Sequence, residues 1–281
     1  MKQSINYEAE DRSFNFHHTR DECPHPQDFP LHYENGYEIY LFISGCGEYN
    51  IEGNRYKLEP YSILMMNINE IHMLNISEEQ PYERAVLTIS KDFLPPFITH
   101  GVDFFRAIKF RKLGYGNSIS SEIVASSGLL ELFNKFEHHC RINDAENEIV
   151  AKCIIVQILS IINSISKTDL LPTHISGNDK INAVLEYINS NLNEQLSLDS
   201  ICEKFYLTKY HLCHTFKQAT GYSVNKYITF KRILIADGLM LEGYNATQSC
   251  FMSGFNDYSN FYKSYRKLTG RPPRSAKGKS S

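Results

Sequence analysis

The stretch GFNDYSNFYKSYRKLTG (residues 254–270) opens as a turn, passes Asp257, and becomes a helix mixing aromatic rings with Lys and Arg. A second stretch shares its plan. When ICEKFYLTKYHLCHTFKQATG (201–221) is set above SCFMSGFNDYSNFYKSYRKLTG (249–270), Cys202 lies over Cys250. After one extra residue in the second turn, Thr208 matches Asp257, Leu212 matches Phe261, Phe216 matches Tyr265 and Lys217 matches Arg266, and both copies close on Thr-Gly. Each copy reads as a short helix, a turn, and a second helix whose N-cap is Thr208 or Asp257. The small Cys lets the two helices cross closely. The i, i+4 pairs Leu212/Phe216 and Phe261/Tyr265 face a core, so the pattern predicts two helix-turn-helix units.

The same wheel leaves Lys209, Tyr210, Cys213, His214 and Lys217 outward in the first copy, and Tyr258, Ser259, Tyr262, Lys263 and Arg266 in the second. Donors and flat rings near a helix N-terminus suit the acceptors and thymine methyls of a DNA major groove. A face without carboxylates suits phosphates. The run NKYITFKRILIADGLML (225–241) predicts one long helix joining the copies. At roughly 1.5 Å per residue it spans a distance near one turn of B-DNA. Lys226, Lys231 and Arg232 are candidate phosphate contacts on it, and Arg232 equally suits a buried structural ion pair.

Charge sets this region apart. Residues 179–281 hold 14 Lys and Arg against 8 Asp and Glu, whereas residues 1–178 hold 15 against 24. A basic third joined to an acidic remainder assigns any polyanion to the C-terminal part. The whole chain of 281 residues, 42% hydrophobic and 22% charged, suits two globular domains. No run approaches the roughly 18 apolar residues of a membrane span, and the polar, acidic N-terminus is not a secretory signal. Seven cysteines without CxxC spacing point to reduced thiols in the cytosol.

The first hundred residues predict short strands at 37–45, 48–53, 61–67 and 83–90, with Glu52–Asn54 as a hairpin turn, an antiparallel barrel or sandwich. From about Ser118 the period turns helical. EIVASSGLLELFNKFEHH and ENEIVAKCIIVQILSIINSI each predict a helix, the second apolar nearly all round and so packed under the barrel, against a partner chain, or both. TDLLPTHISGN (168–178) is the linker candidate. The resulting division is 1–167 for ligand binding and dimerisation, 168–178 as linker, and 179–281 for DNA.

The pattern I-C-x5-T-x3-L-x3-F-x4-G, then Arg232 and Ala236, then G-F-x-D-x-S-x-F and Gly270-x-x-Pro273, resembles the AraC/XylS class of bacterial transcription regulators. The resemblance covers about 100 residues. It implies a seven-helix DNA-binding domain with base-reading positions at Tyr210, Cys213, His214, Tyr258, Ser259, Tyr262 and Lys263. Three departures stand out: Tyr206 where the family has Gly, Ala246 and Ser249 in place of larger apolar residues, and Gly238 inside the joining helix. Upstream, HYENGYEIYLFISG (32–45) and EPYSILMMNINEIHMLN (59–75) are similar to a cupin barrel, through Glu38, Gly45, Pro60 and His72. The fold class expected is therefore α+β: an N-terminal cupin-like β-barrel with a helical dimerisation segment, and a C-terminal all-α domain.

Two imperfections weigh against a metal-dependent cupin enzyme, the competing reading: Glu34 stands where such enzymes have their second His, and Ser62 replaces Gly. His17-His18 and His138-His139 lack metal spacing and read as surface pairs. A binding pocket is expected instead, lined by His32, Glu38, Tyr40, Met65 and His72, with Tyr40 and Met65 equally readable as core. The expectation is a cytoplasmic regulator, without catalytic residues, metal or cofactor. Its partners are double-stranded DNA, a small-molecule effector such as a sugar, a second copy of the chain, and RNA polymerase; no membrane partner is expected.

Overall fold

The structure, a computed structural model, describes residues 2–68, 70–76, 80–93, 101–168 and 179–273. Backbone contacts divide the chain into two units, Met1–Ser176 and Gly177–Ser281. The boundary, and the expected linker apart from Thr168, lie outside the described residues.

The first unit begins with strands β1 (Lys2–Glu8), β2 (Phe14–Asp21), β3 (Gly36–Ser44), β4 (Gly47–Ile51), β5 (Asn54–Lys57), β6 (Ile63–Met66), β7 (His72–Ile76) and β8 (Tyr82–Ser90). Helix α1 (Arg106–Lys109), the short β9 (Ser118–Ile119), and helices α2 (Ser121–Ser126), α3 (Leu129–Ile142) and α4 (Ala145–Ile165) follow. One sheet runs β1-β2-β8-β3-β6-β9 and a second β5-β4-β7, with antiparallel pairing throughout. β4 turns into β5 through Glu52 (φ 49°) and Gly53 (φ 87°), the paired positive φ values of a type I′ hairpin.

β3 is buried from Gly36 to Phe42 without alternation, because both its faces are covered. Ile39 and Leu41 join Ile63, Leu87, Phe14 and Phe16 against α3 and α4. Tyr40 and Phe42 instead meet Tyr49, Ile51, Tyr56 and Leu74 of the second sheet, closing a barrel interior.

The expected single helix at the front of the helical region breaks at Gly128 (φ 78°) into α2 and α3. Nor is α4 apolar all round. Ala151, Ile154, Ile155, Ile158, Leu159, Ile162 and Ile165 form its buried stripe, while Ile149, Gln157, Ser160 and Ser164 stand exposed. Against the sequence expectation, α4 is long and apolar enough to cross a membrane, with a mean hydropathy of 1.8 over its most apolar window, yet its stripe is packed into the protein core.

The second unit holds six helices among the described residues, against the seven implied: α5 (Asp179–Ser190), α6 (Leu198–Phe205), α7 (Lys209–Thr220), α8 (Val224–Leu241), α9 (Ala246–Met252) and α10 (Tyr258–Thr269). α8 is the shared spine. Phe216 of α7 meets Tyr227 with ring centroids 5.8 Å apart. Ile233, Ala236 and Met240 pack with Cys250, Phe261 and Tyr265 from the second copy.

Candidate functional site

Both helix-turn-helix units have the predicted local construction. Thr208 accepts a hydrogen bond from the backbone N–H of His211, and Asp257 from that of Asn260, so each second helix starts on its cap. Each ends on a left-handed glycine, Gly221 or Gly270. Leu212, Phe216, Phe261 and Tyr265 are buried, as are Cys202 and Cys250 where the helices cross. All seven cysteines are free thiols. Tyr206 holds φ 52° at the first turn, the left-handed conformation that favours glycine, and the residue is 92% exposed.

The outward residues fall as the wheel places them. Lys209, Tyr210, His214 and Lys217 on α7 are exposed and Cys213 is half-buried; Tyr258, Ser259, Tyr262, Lys263 and Arg266 on α10 are all exposed. His211 and Asn260, which the sequence reading did not single out, are exposed beside them. Tyr210 and His214 stack in parallel, 5.9 Å apart, and Tyr258 and Tyr262 repeat that i, i+4 pairing at 6.4 Å. Lys209 lies 2.7 Å from Asp199, an exposed pair of little energetic weight. Neither α7 nor α10 contains a carboxylate.

On α8, Lys226 is exposed in the first turn. Lys231 is a correction: it is buried, with its ammonium 6.0 Å from the Tyr227 ring, because α8 is packed on most of its circumference. Arg232 proves structural, though not through an ion pair. Its Nε donates to the Leu192 carbonyl at 2.9 Å and its Nη2 to that of Glu194 at 2.7 Å. Gly254 (φ +92°) presses on the same point, since a Cβ there would stand 2.1 Å from the Leu192 oxygen. The arginine thus joins the loop after α5, the spine, and the second turn. Ser249 is buried, with its hydroxyl lacking a hydrogen-bond partner.

In the barrel, Glu38, Tyr40 and His72 are buried on the interior side and His32 is half-buried at its edge. The His32 and His72 rings meet edge to face at 4.2 Å, and His72 Nε2 lies 3.9 Å from Glu38 Oε2. Burial, reinforced by the charge of Glu34, pushes the Glu38 carboxyl up to about 8. Burial and His32 hold His72 down at about 3. Met65 is the second correction. It pairs with Ile39 and belongs to the cluster under α3 and α4, while its neighbours Leu64 and Met66 face the interior. Tyr40 hydrogen-bonds to Tyr82 across the interior.

The sequence reading missed Arg84, whose guanidinium lies 4.9 Å over the Tyr82 ring and 5.2 Å over that of Phe29. It shares the parity of Tyr82 and Val86 on β8, which only the pairing register reveals. Nor is His18 a plain surface residue: it bridges Glu83 at 2.9 Å and Glu137 at 2.7 Å, joining β8 to α3. Glu70 with Arg111, 2.8 Å apart and both well buried, ties the loop before β7 to the segment after α1. Among the described residues no group of three or more His, Cys, Asp or Glu converges as a metal site.

Residues 19–107 match the family model of the AraC-like ligand-binding domain, and residues 201–278 that of a helix-turn-helix domain. The chain is 22% identical to an uncharacterized HTH-type transcriptional regulator of Bacillus subtilis, YbfI, over 83% of this chain and 82% of that one. It is also 22% identical to the HTH-type transcriptional activator RhaS of Pectobacterium carotovorum, over 88% and 87% of the two chains. Among solved structures, ToxT of Vibrio cholerae aligns over 97% of this chain and 96% of its own, at 15% identity and a TM-score of 0.36.

Proposed function

The chain belongs to the AraC-type transcription regulators, and from that premise we propose that α7 and α10 read base edges in two successive major grooves. Tyr210, Cys213 and His214 would read one site; Tyr258, Ser259, Tyr262 and Lys263 the other. Lys209, Lys217, Lys226 and Arg266 would hold the phosphates. The observation that carries this reading is the repeated exposed face of rings and cations on two helices that contain no carboxylate. α8, with 18 residues, is about 27 Å long, a spacing compatible with neighbouring turns of the duplex.

In this reading the barrel is a non-catalytic compartment for a small-molecule effector, and the protein works in the cytoplasm with RNA polymerase as a further partner. The effector acts only through a difference in its affinity for alternative arrangements of the DNA-binding domains. A second copy would pair along the outer side of α4, where Ile149 is exposed and Cys153 and Val156 are half-buried. Sedimentation at micromolar concentration should find a dimer; a monomer ends that part of the proposal.

Equilibrium titration on duplexes at several salt concentrations tests the DNA contacts. The logarithm of the binding constant should fall linearly with that of salt. Lys226→Ala should weaken all duplexes alike and reduce that slope by about one, whereas Lys263→Ala or His214→Ala should relax base preference. Unchanged preference in both of the latter would move the reading face elsewhere.

A further inference from the structure

Two polar atoms inside the barrel are enclosed and lack a hydrogen-bond partner: Nη1 of Arg84 and Nε2 of His72. His72 donates from Nδ1 to the Glu70 carbonyl at 2.8 Å, and a carbonyl can only accept, so the ring proton sits on Nδ1. Nε2 is therefore a bare acceptor facing the interior. Glu38 Oε2, at 3.9 Å, is too distant to supply the missing hydrogen bond. The guanidinium of Arg84 has the opposite need. Its two aromatic neighbours, Phe29 and Tyr82, screen it without offering an acceptor in line, and no carboxylate among the described residues is ion-paired to it.

The two atoms stand at opposite ends of one chain of ring contacts. Arg84 lies over Tyr82, Tyr82 bonds to Tyr40, the Tyr40 ring meets Tyr49 at 5.0 Å, and Tyr49 meets His72 at 5.8 Å. A continuous tyrosine wall thus joins an unneutralised cation to an unused acceptor. Enclosing a charged nitrogen or a lone pair without a partner is costly, and interiors that retain such atoms complete them with ordered water or a bound ligand.

We propose that the effector is a hydroxylated organic anion, its carboxylate or phosphate on Arg84 and a hydroxyl donating to His72 Nε2, with its body against the tyrosines. This rests on the barrel being the effector compartment, and it replaces a neutral sugar with a charged ligand. A neutral polyol satisfies His72 but leaves the guanidinium without a counter-charge. The Glu38 carboxyl feels the charge of Arg84, but burial outweighs that pull and raises its pKa to about 8, so near neutral pH it offers the guanidinium little counter-charge.

Thermal unfolding of the full chain tests the assignment with lactate, tartrate, gluconate, glucuronate, phenyllactate and glucose 6-phosphate, each beside its uncharged alcohol, amide or parent sugar. At least one anion should raise the midpoint with an affinity about tenfold or more above that of its uncharged counterpart. Which anion does so separates carboxylate from phosphate. Arg84→Met should abolish the shift and Arg84→Lys should retain part of it; the wild-type comparison within each pair stands even where a variant fails to fold. An uncharged member that binds as well as its anion overturns the assignment and leaves the barrel as the effector site. No shift from any member of either set overturns the assignment and counts against the effector reading as well.

Discussion

Glu38 and His72, whose side chains approach within 3.9 Å inside the barrel, are displaced in opposite directions from their ordinary protonation. Glu38 titrates near 8 in the folded chain against an ordinary 4.5, so between these values the folded form keeps a proton that the unfolded form has released. That contribution to stability is lost as pH rises. His72 titrates near 3 against an ordinary 6.5, so its contribution is lost as pH falls through that window. The two slopes oppose each other between about pH 4.5 and 6.5, and above 6.5 only that of Glu38 remains. Between pH 6.5 and 8, Glu38→Gln should therefore remove a decline of about 2 kcal/mol at most, read as a gap between the urea midpoints of variant and wild type that changes with pH, the wild type falling relative to the variant. Parallel profiles would show that the carboxyl is not held protonated. Glu38 and His72 were both legible in the sequence, since the cupin pattern gives their spacing. Met65 and Arg84 were not, because facing is decided by strand register: Met65 pairs with Ile39 on the helix side, and Arg84 with Phe42 on the interior side. Lys231 was misplaced for a related reason. A spine gripped by both copies has no wide open face, and a wheel drawn for one neighbour shows only one of them.

At the scale of elements, two glycines of the DNA-binding unit make opposite predictions. Gly254 holds φ +92°, and a Cβ there would stand 2.1 Å from the Leu192 carbonyl oxygen and 2.8 Å from Arg232 Nε. Gly254→Ala should destabilise the unit by several kcal/mol, since both the backbone region and the space are closed to it. Gly238 sits within α8, and a Cβ there meets nothing within 4 Å. Gly238→Ala should stabilise by up to about 1 kcal/mol. Urea unfolding of the two variants reads both outcomes; a neutral Gly254→Ala would contradict the packed junction at Arg232. The helix-turn-helix elements were legible because their signals are local: a cap, a buried pair one turn apart, and a closing glycine. Strands β1 and β2 were not, since Phe14, Phe16 and Thr19 are the buried residues of β2 in a polar stretch and only pairing with β8 makes β2 a central strand. The break at Gly128 was visible as a residue, but not as a boundary between two helices.

For the whole molecule, the charge asymmetry read from composition coincides with two structural units and with two family models, one on each. The acidic part has its polar chemistry turned inward, in Glu38, His72 and Arg84, while the basic part presents its rings and cations on the surface. That contrast is why one is read as a compartment and the other as an interface. Selection of bound duplexes from a random pool with the full chain shows whether α7 and α10 read DNA together. Enriched sequences should carry two blocks about one helical turn apart, and Lys263→Ala should erase one block while leaving the other. A single block, or two blocks both untouched by Lys263→Ala, would contradict that joint reading.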